Sequence, residues 1–507
     1  MLKGIFRRTK SGISAQVNKT IRRPSRLFFG PFFLCVLSLL RCPRLVRMVL
    51  WLLPERLIQG GDGQEIYVEA GYQLFQDDRP EEAWLCLKRY LQMGRPTIEQ
   101  NLLGAMCLYH GLGRFRDAMA LLARANEQGV EDAAGIGAAN VPFRILDSTW
   151  ARHIGHLAIT DYVIKLGILE GRSAEDTILY VPPGSPIANR FLLDLIATRL
   201  RLVTRPQELP IPAAAAQALH YDLLGPRLPD KTTAYFWDVA GRTYSRWRRE
   251  GRAPLFALPA DVEVRGRAAL AAMGMPPGAW FVALHVREGT WDGRHPGMHG
   301  IRNADIATYL PAVAEITGRG GWVVRIGDPG MTTLPPLPNV IDYCHSSLRA
   351  DWLDIFILAR CRFMVGTNSG PIFIPALFAD TPAVLTNWWP AAERPWHAAD
   401  IFVPKLLRRL SDGRLLSLSE TLREPFCWCF SRRFLAEGAG VRLEDNDPEI
   451  IRGAVREMLA HLDGCGEADD RTEALRAHAD SIYDANGVVG MARLARAFLI
   501  SHADLIG

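Results

Sequence analysis

Five small or polar residues in succession, Gly366, Thr367, Asn368, Ser369 and Gly370, stand between an apolar run at 362–365 and a second apolar run that opens with Pro371. The pattern predicts a strand, a turn and a helix. Proline at the first helical position forgoes no intrahelical bond, and the small residues before it leave amide N–H groups free to hold an anion such as phosphate. Two other apolar runs end in matching chemistry. The run 280–287 closes on His285 and Arg287, and 321–328 closes on Arg325, Gly327 and Asp328. Charged groups at strand ends are costly in a sheet interior unless paired, so one cleft is expected to receive Arg287, Arg325 and a protonated His285. Arginine grips phosphate oxygens bidentately and keeps its charge at physiological pH. Such a set suits a diphosphate.

Group transfer from a diphosphate also needs a proton acceptor. Asp292 and Glu288 follow the His285–Arg287 strand end, and His156, with His153, lies in the first strand-to-helix loop of the other half of the chain. Arg302, Asn303 and Asp305 close the Gly/His/Arg-rich loop after the same strand and join the expected donor-binding set. There is no Gly-x4-Gly-Lys-Ser/Thr and no Gly-x-Gly-x-x-Gly, which argues against a nucleotide triphosphatase and an NAD-dependent dehydrogenase. The Asp445-Asn-Asp447 triplet follows no predicted strand and reads as the cap of a helix starting at Pro448. A cationic site with no metal and no cofactor is the consistent expectation.

The elements that must position these residues form two α/β halves. In the first, 143–147, 177–181 and 202–204 read as strands, 157–169 and 190–200 as helices, and 151–156 as a loop, which is half of a doubly wound sheet. Residues 205–265 show little periodicity and read as a crossing between domains. In the second, 280–287, 321–328, 339–343, 362–365 and 382–387 read as strands, and 309–317, 354–360, 448–462 and 471–501 as helices. Ahead of both, the helical stretch 71–84 is echoed by 103–118 at roughly the 34-residue period of tetratricopeptide units. Two such hairpins are too few for an independent solenoid and should lean on the next domain or on a partner protein.

The expected domains are 1–60, 61–135 (tetratricopeptide-like), 136–265 (acceptor half), 266–460 (donor half) and 461–507 (closing helices). The net charge of +5 is uneven: eleven basic residues precede Glu55, the first acidic one, so the rest of the chain is slightly acidic and offers no nucleic-acid-binding body. The apolar runs at 27–40 and 45–57 are each shorter than a bilayer span and separated by arginines, so 1–60 is expected to lie on an anionic membrane surface rather than cross it. Nine scattered cysteines fit a reducing compartment, and Cys427 with Cys429 lacks the spacing and second pair of a zinc site.

The residues 284–288, 301–305 with 309–311, 320–329, 339–343 and 349–356 through 366–370 together resemble a family of bacterial glycosyltransferases, often tetratricopeptide-linked. More distantly the chain resembles fucosyltransferase-type enzymes of the two-Rossmann (GT-B) fold. The resemblance is close over 280–390 and looser before it. It implies two facing Rossmann-like domains and transfer of a sugar from a nucleotide-sugar, with Arg287, the Arg of the His-x-Arg strand end, on the donor diphosphate. The chain departs from the fucosyltransferase pattern at Glu288-Gly-Thr290, where those enzymes often carry a second basic residue or Asp. The acceptor is expected to be a glycan or a lipid-linked molecule at the cytoplasmic face of the inner membrane. Transfer of another group, such as pyruvyl, and a non-catalytic membrane scaffold are the alternatives.

Overall fold

The computed structural model describes residues 61–93, 96–138, 141–289, 298–466 and 469–506. The segment 1–60, expected to lie on a membrane surface, and the candidate base Asp292 lie outside these residues. The chain opens with two helical hairpins: α1 (Gly61–Gln76) on α2 (Pro80–Met93), and α3 (Ile98–Met106) on α4 (Phe115–Ala134). Thr97 and Gln100 form a capping box that starts α3, and Ala118, Leu121, Leu122 and Ala125 recur at helical spacing on the buried face of α4. Between α3 and α4 a π-helical turn, Cys107–Gly111, buries all five of its residues.

This pair of hairpins packs against the distant segment 424–434. Phe115 stacks on Trp428 with ring centroids 4.4 Å apart, and Phe430 N donates to His110 O at 2.7 Å. At Gly113 the φ of +62° and the carbonyl of Pro425, which a Cβ would meet at 1.9 Å, admit no side chain.

The first α/β half is a three-stranded parallel sheet in the order β1-β2-β3: β1 (Arg144–Leu146), β2 (Thr177–Tyr180) and β3 (Arg201–Val203). Leu146 and Leu179 face the main core, while Ile145, Ile178 and Val203 pack with Leu209 and Ala216 on the other side. Both faces are thus covered, as a parallel sheet requires. Where a loop was expected at 151–156, the chain instead makes two short helices, α5 (Thr149–Arg152) and α6 (Ile154–Ala158), before α7 (Thr160–Leu169) and α8 (Arg190–Ile196).

The crossing segment is also more ordered than its composition suggests, with α9 (Ala213–Ala218), α10 (Phe236–Arg249) and α11 (Ala260–Ala272). Trp237, Ala240, Tyr244 and Trp247 form a buried stripe on α10, at a spacing hidden in the sequence by the arginines between them. That stripe lies on α7, where Lys165 pairs with Asp161 at 2.7 Å and sits 5.0 Å from the Tyr244 ring.

The second half is a seven-stranded parallel sheet in the order β12-β9-β8-β7-β4-β5-β6. Its strands are β4 (Phe281–His285), β5 (Trp322–Arg325), β6 (Val340–Ile341), β7 (Met364–Gly366), β8 (Ala383–Trp388), β9 (Ile401–Pro404) and β12 (Arg493–Leu494). α12 (Leu310–Thr317) follows β4, α13 (Asp351–Arg360) precedes β7, and α14 (Pro375–Phe378) follows it. β10 (Leu406–Arg409) and β11 (Val441–Glu444) pair antiparallel as a separate ribbon flanking α15 (Leu418–Thr421). The chain closes with α16 (Pro448–Leu462), α17 (Asp470–Ala485) and α18 (Arg496–Ser501). Two expectations are corrected. The stretch 471–501 is not wholly helical, since β12 extends the sheet beside β9, and Asp445 follows β11; Asp447 caps α16 by accepting from Glu449 N at 2.7 Å.

Counted in chain order, the seven strands lie 7-6-5-4-1-2-3, so the direction of winding reverses between β4 and β7. The crevice at the carboxyl ends of two such strands is where an open α/β sheet receives ligands.

Candidate functional site

The residues singled out in the sequence flank that reversal. His285 ends β4 opposite Gly366, which ends β7. Thr367 N donates to His285 O at 3.2 Å and Arg287 N donates to Thr367 Oγ1 at 3.0 Å, so each strand end holds the other. His285 is 5% exposed, and burial, reinforced by the charges of Arg287 and Arg325, lowers its pKa to about 4. The ring is therefore neutral: Nδ1–H donates to Ile326 O at 3.2 Å and Nε2 accepts from Ser369 Oγ at 3.0 Å. This corrects the expectation that His285 serves as a cation.

The turn Gly366–Gly370 does not lead into a long helix. A 3-10 turn, Gly370–Phe373, precedes the four residues of α14. The cause is Pro375, which has no N–H to offer the carbonyl of Pro371 four residues earlier. A macrodipole of this length is slight, which corrects the helix-terminus reading. Amide donors remain nonetheless. The N–H groups of Asn368, Ser369 and Gly370 have no acceptor among the described residues, which leaves donors for an anion at this strand end, although Ser369 is extended (φ −151°, ψ 158°) and its N–H and that of Gly370 face different sides. The other half closes against them, for a Cβ on Gly155 of α6 would lie 2.7 Å from Gly370 Cα. Two facing glycines let the halves meet at this point.

Arg325 is corrected more severely. It is 0% exposed and already paired, with Nη2 on Glu288 Oε1 at 2.8 Å, and Nη1 on Asp342 Oδ1 at 3.3 Å and on Thr332 O at 2.5 Å. Glu288 in turn accepts from Thr332 N at 2.7 Å. The pair braces the ends of β4 and β5 instead of facing a phosphate, and it leaves Glu288 poorly placed as a base. Beneath it, Asp342, Cys344 and His345 have donor atoms within 4.8 Å of one another. They are already joined by mutual hydrogen bonds, and burial together with Asp342 pushes the Cys344 thiol up to about 12, so the set is ill suited to a cation while Arg325 stays in place.

The remaining candidates divide by position. Asp305 caps the 3-10 turn Ile306–Tyr309 by accepting from Ala307 N at 2.9 Å, and Asp328 closes its own turn on Gly330 N at 2.8 Å. Gly327 receives Arg349 Nη2 on its carbonyl at 3.2 Å. Asn303 O accepts from Lys405 Nζ at 2.9 Å. Thus Asp305, Asp328, Gly327 and Asn303 serve loop geometry. Arg302 turns toward the centre, with its guanidinium 6.0 Å from the Phe430 ring. His156 Nδ1 lies 3.3 Å from Thr149 O, its ring packs edge-on against His153, and burial holds its pKa well below the usual histidine value.

A carboxylate that the sequence reading missed lies at the meeting point of these parts. Glu393, in the loop after β8, is 6% exposed. Its Oε1 accepts from Tyr109 OH of the π-helical turn at 2.8 Å and from Tyr235 OH at the start of α10, and the two phenol oxygens lie 2.5 Å apart. Asn368 of the amide turn lies beside it and donates to Trp389 O at 2.6 Å. Burial raises the Glu393 pKa to about 7, the opposing pull of the tyrosine hydrogen bonds and of the Arg302 charge being weaker. A buried carboxyl whose pKa is raised toward neutrality, beside the amide turn, has the property a general base needs. In the sequence its only signal is a polar residue inside the Trp/Pro-rich run after β8.

No family model matches the chain, and no curated protein matches it. Among solved structures, a glycosyl transferase family 9 protein from Veillonella parvula DSM 2008 aligns over 55% of this chain and 67% of its own, at 12% identity and a TM-score of 0.24. The likeness is too loose to carry an argument; the mixed α/β architecture with parallel sheets is read from this chain itself.

Proposed function

We propose that the chain is a glycosyltransferase that moves a sugar from a nucleotide-sugar to a glycan or lipid-linked acceptor. The observation that carries this reading is the reversal of strand order between β4 and β7, with three acceptor-free amides and the Arg287 strand end beside it. Amides and a guanidinium at such a crevice suit a diphosphate. In the transfer, an acceptor oxygen forms a bond to the anomeric carbon, the bond from that carbon to the diphosphate breaks, and Glu393 takes the acceptor proton. Glu393 is preferred to Glu288, which is committed to Arg325, and to His156, whose pKa is held well below the ordinary histidine value and which is the weaker base for it. Arg287 and the amides meet the charge of the departing diphosphate, so turnover is expected to persist in EDTA.

A binding screen with nucleoside diphosphates tests the reading. Arg287→Ala should weaken the best binder by roughly one to two powers of ten, the value of a charge-assisted bidentate contact. Lack of binding by every nucleotide, or unchanged affinity in the variant, would refute the placement of the donor.

Attachment to a membrane is proposed for 1–60, on the strength of the basic and apolar pattern there. No helix among the described residues is long and apolar enough to cross a bilayer. The full chain should float with anionic vesicles and be released by salt, while a chain lacking 1–60 should stay in the soluble fraction. Flotation of the shortened chain would place the attachment elsewhere.

A further inference from the structure

A cavity of about 500 Å³ opens at the amino end of β1, between α4, the stretch leading into β1 and the segment 218–229. The cleft described above lies at the carboxyl ends of β4 and β7 in the other sheet, so the two are separate places. Four basic side chains line the cavity, Arg144, Arg172, His220 and Arg227, and no acidic one does so among the described residues. Arg144 and Arg172 share a single carboxylate, Glu170, at 2.5 and 3.2 Å. Arg227 has no ion-pair partner among the described residues.

His220 is held in its charged form. Its Nδ1 donates to Gln217 O at 2.8 Å and Nε2 faces Asp222 at 3.6 Å. Burial opposes its charge, but Asp222 and Asp147 outweigh it and raise the pKa to about 9. The rest of the wall is apolar at Phe143 and Leu228 among others, with Asn126 and Tyr221 adding polar groups. A concave, partly apolar site with a few convergent cationic groups is the form of a small-molecule pocket.

We propose that this cavity is a second binding site, taking a small molecule that carries a phosphate or carboxylate group on an uncharged body. It goes beyond the transferase reading and does not depend on it. Because α4 belongs to the helical hairpins and β1 to the first α/β half, a ligand here touches both and fixes one against the other.

Hydrogen exchange of the full chain locates binding directly. Inorganic pyrophosphate and citrate are titrated in separate arms at constant ionic strength, with sodium chloride as the reference. At least one of the two should slow exchange at 141–146 and 218–229. The arm that does so tells phosphate chemistry from carboxylate chemistry. Arg227→Glu reverses a charge that has no ion-pair partner among the described residues, and should raise the half-saturating concentration at these stretches about tenfold or more. Exchange at 366–370, read in the same samples, reports the cleft separately, so failure at one place is distinguishable from failure at the other. If neither anion slows exchange at 141–146 and 218–229, if sodium chloride does so equally, or if Arg227→Glu leaves the titration there unmoved, the second site does not exist.

Discussion

Glu393→Gln is expected to cut single-turnover transfer by on the order of 10²–10⁴ at saturating donor, while nucleotide diphosphate binds as before. The amide keeps the shape of the carboxyl and its ability to accept from Tyr109 and Tyr235, but it cannot take a proton. The pH dependence gives a second, independent readout. With a pKa of about 7, the wild-type rate should rise with pH up to neutrality and then level, and this limb should vanish in the variant. Tyr109→Phe removes a hydrogen bond that favours the charged carboxylate, so it should move the limb to higher pH.

Stability should follow the opposite course. The folded-state pKa is raised above the ordinary glutamate value, so the folded chain binds the proton more tightly than the unfolded one. The carboxyl therefore costs nothing at pH well below 4.5 and progressively more as pH climbs to about 7. Glu393→Gln should flatten that decline, by roughly 1–3 kcal/mol between pH 5 and 8. Full turnover in the variant would remove Glu393 from the reaction, whatever its effect on stability.

Arg325→Met should destabilise the fold by about 3–5 kcal/mol, measured by chemical denaturation. The magnitude follows from what remains behind: Glu288 and Asp342 lose the cation that both face, in a site where the Arg325 side chain itself is fully buried. The Thr332 carbonyl is also left without its donor. Adding Glu288→Gln and Asp342→Asn to Arg325→Met should recover a large part of the loss, because replacing a whole buried ionic group costs far less than breaking it. If Arg325→Met were neutral, the pairing at the ends of β4 and β5 would carry no weight, and the arginine could be returned to the phosphate cleft.

Local pattern carried much of the fold. Residues 448–462 read as a helix from a proline start and an apolar period, and α16 occupies them; the continuous apolar run at 280–287 contains β4, and those at 362–365 and 382–387 overlap β7 and β8, each of which runs one residue further. The turn at 366–370 was legible because glycine and small polar residues between apolar runs have few other uses. One local signal was available and unread, the second proline at 375, which shortens the helix after the turn. The charges were another matter. Arg325 reads the same in the sequence whether it meets a phosphate or a carboxylate, and only the packing of β4, β5 and β6 brings Glu288 and Asp342 to it.

The acid–base group was least legible of all. Glu393 acquires its raised pKa from burial, in a site that Tyr109, 284 residues away, and Tyr235, 158 residues away, close around it. The sequence by itself determined the elements and put cationic and small residues at the strand ends, because secondary structure answers to neighbours three or four positions apart. The tertiary structure alone decided which of those charges are buried and paired, since desolvation and Coulomb attraction depend on distance in space and not along the chain.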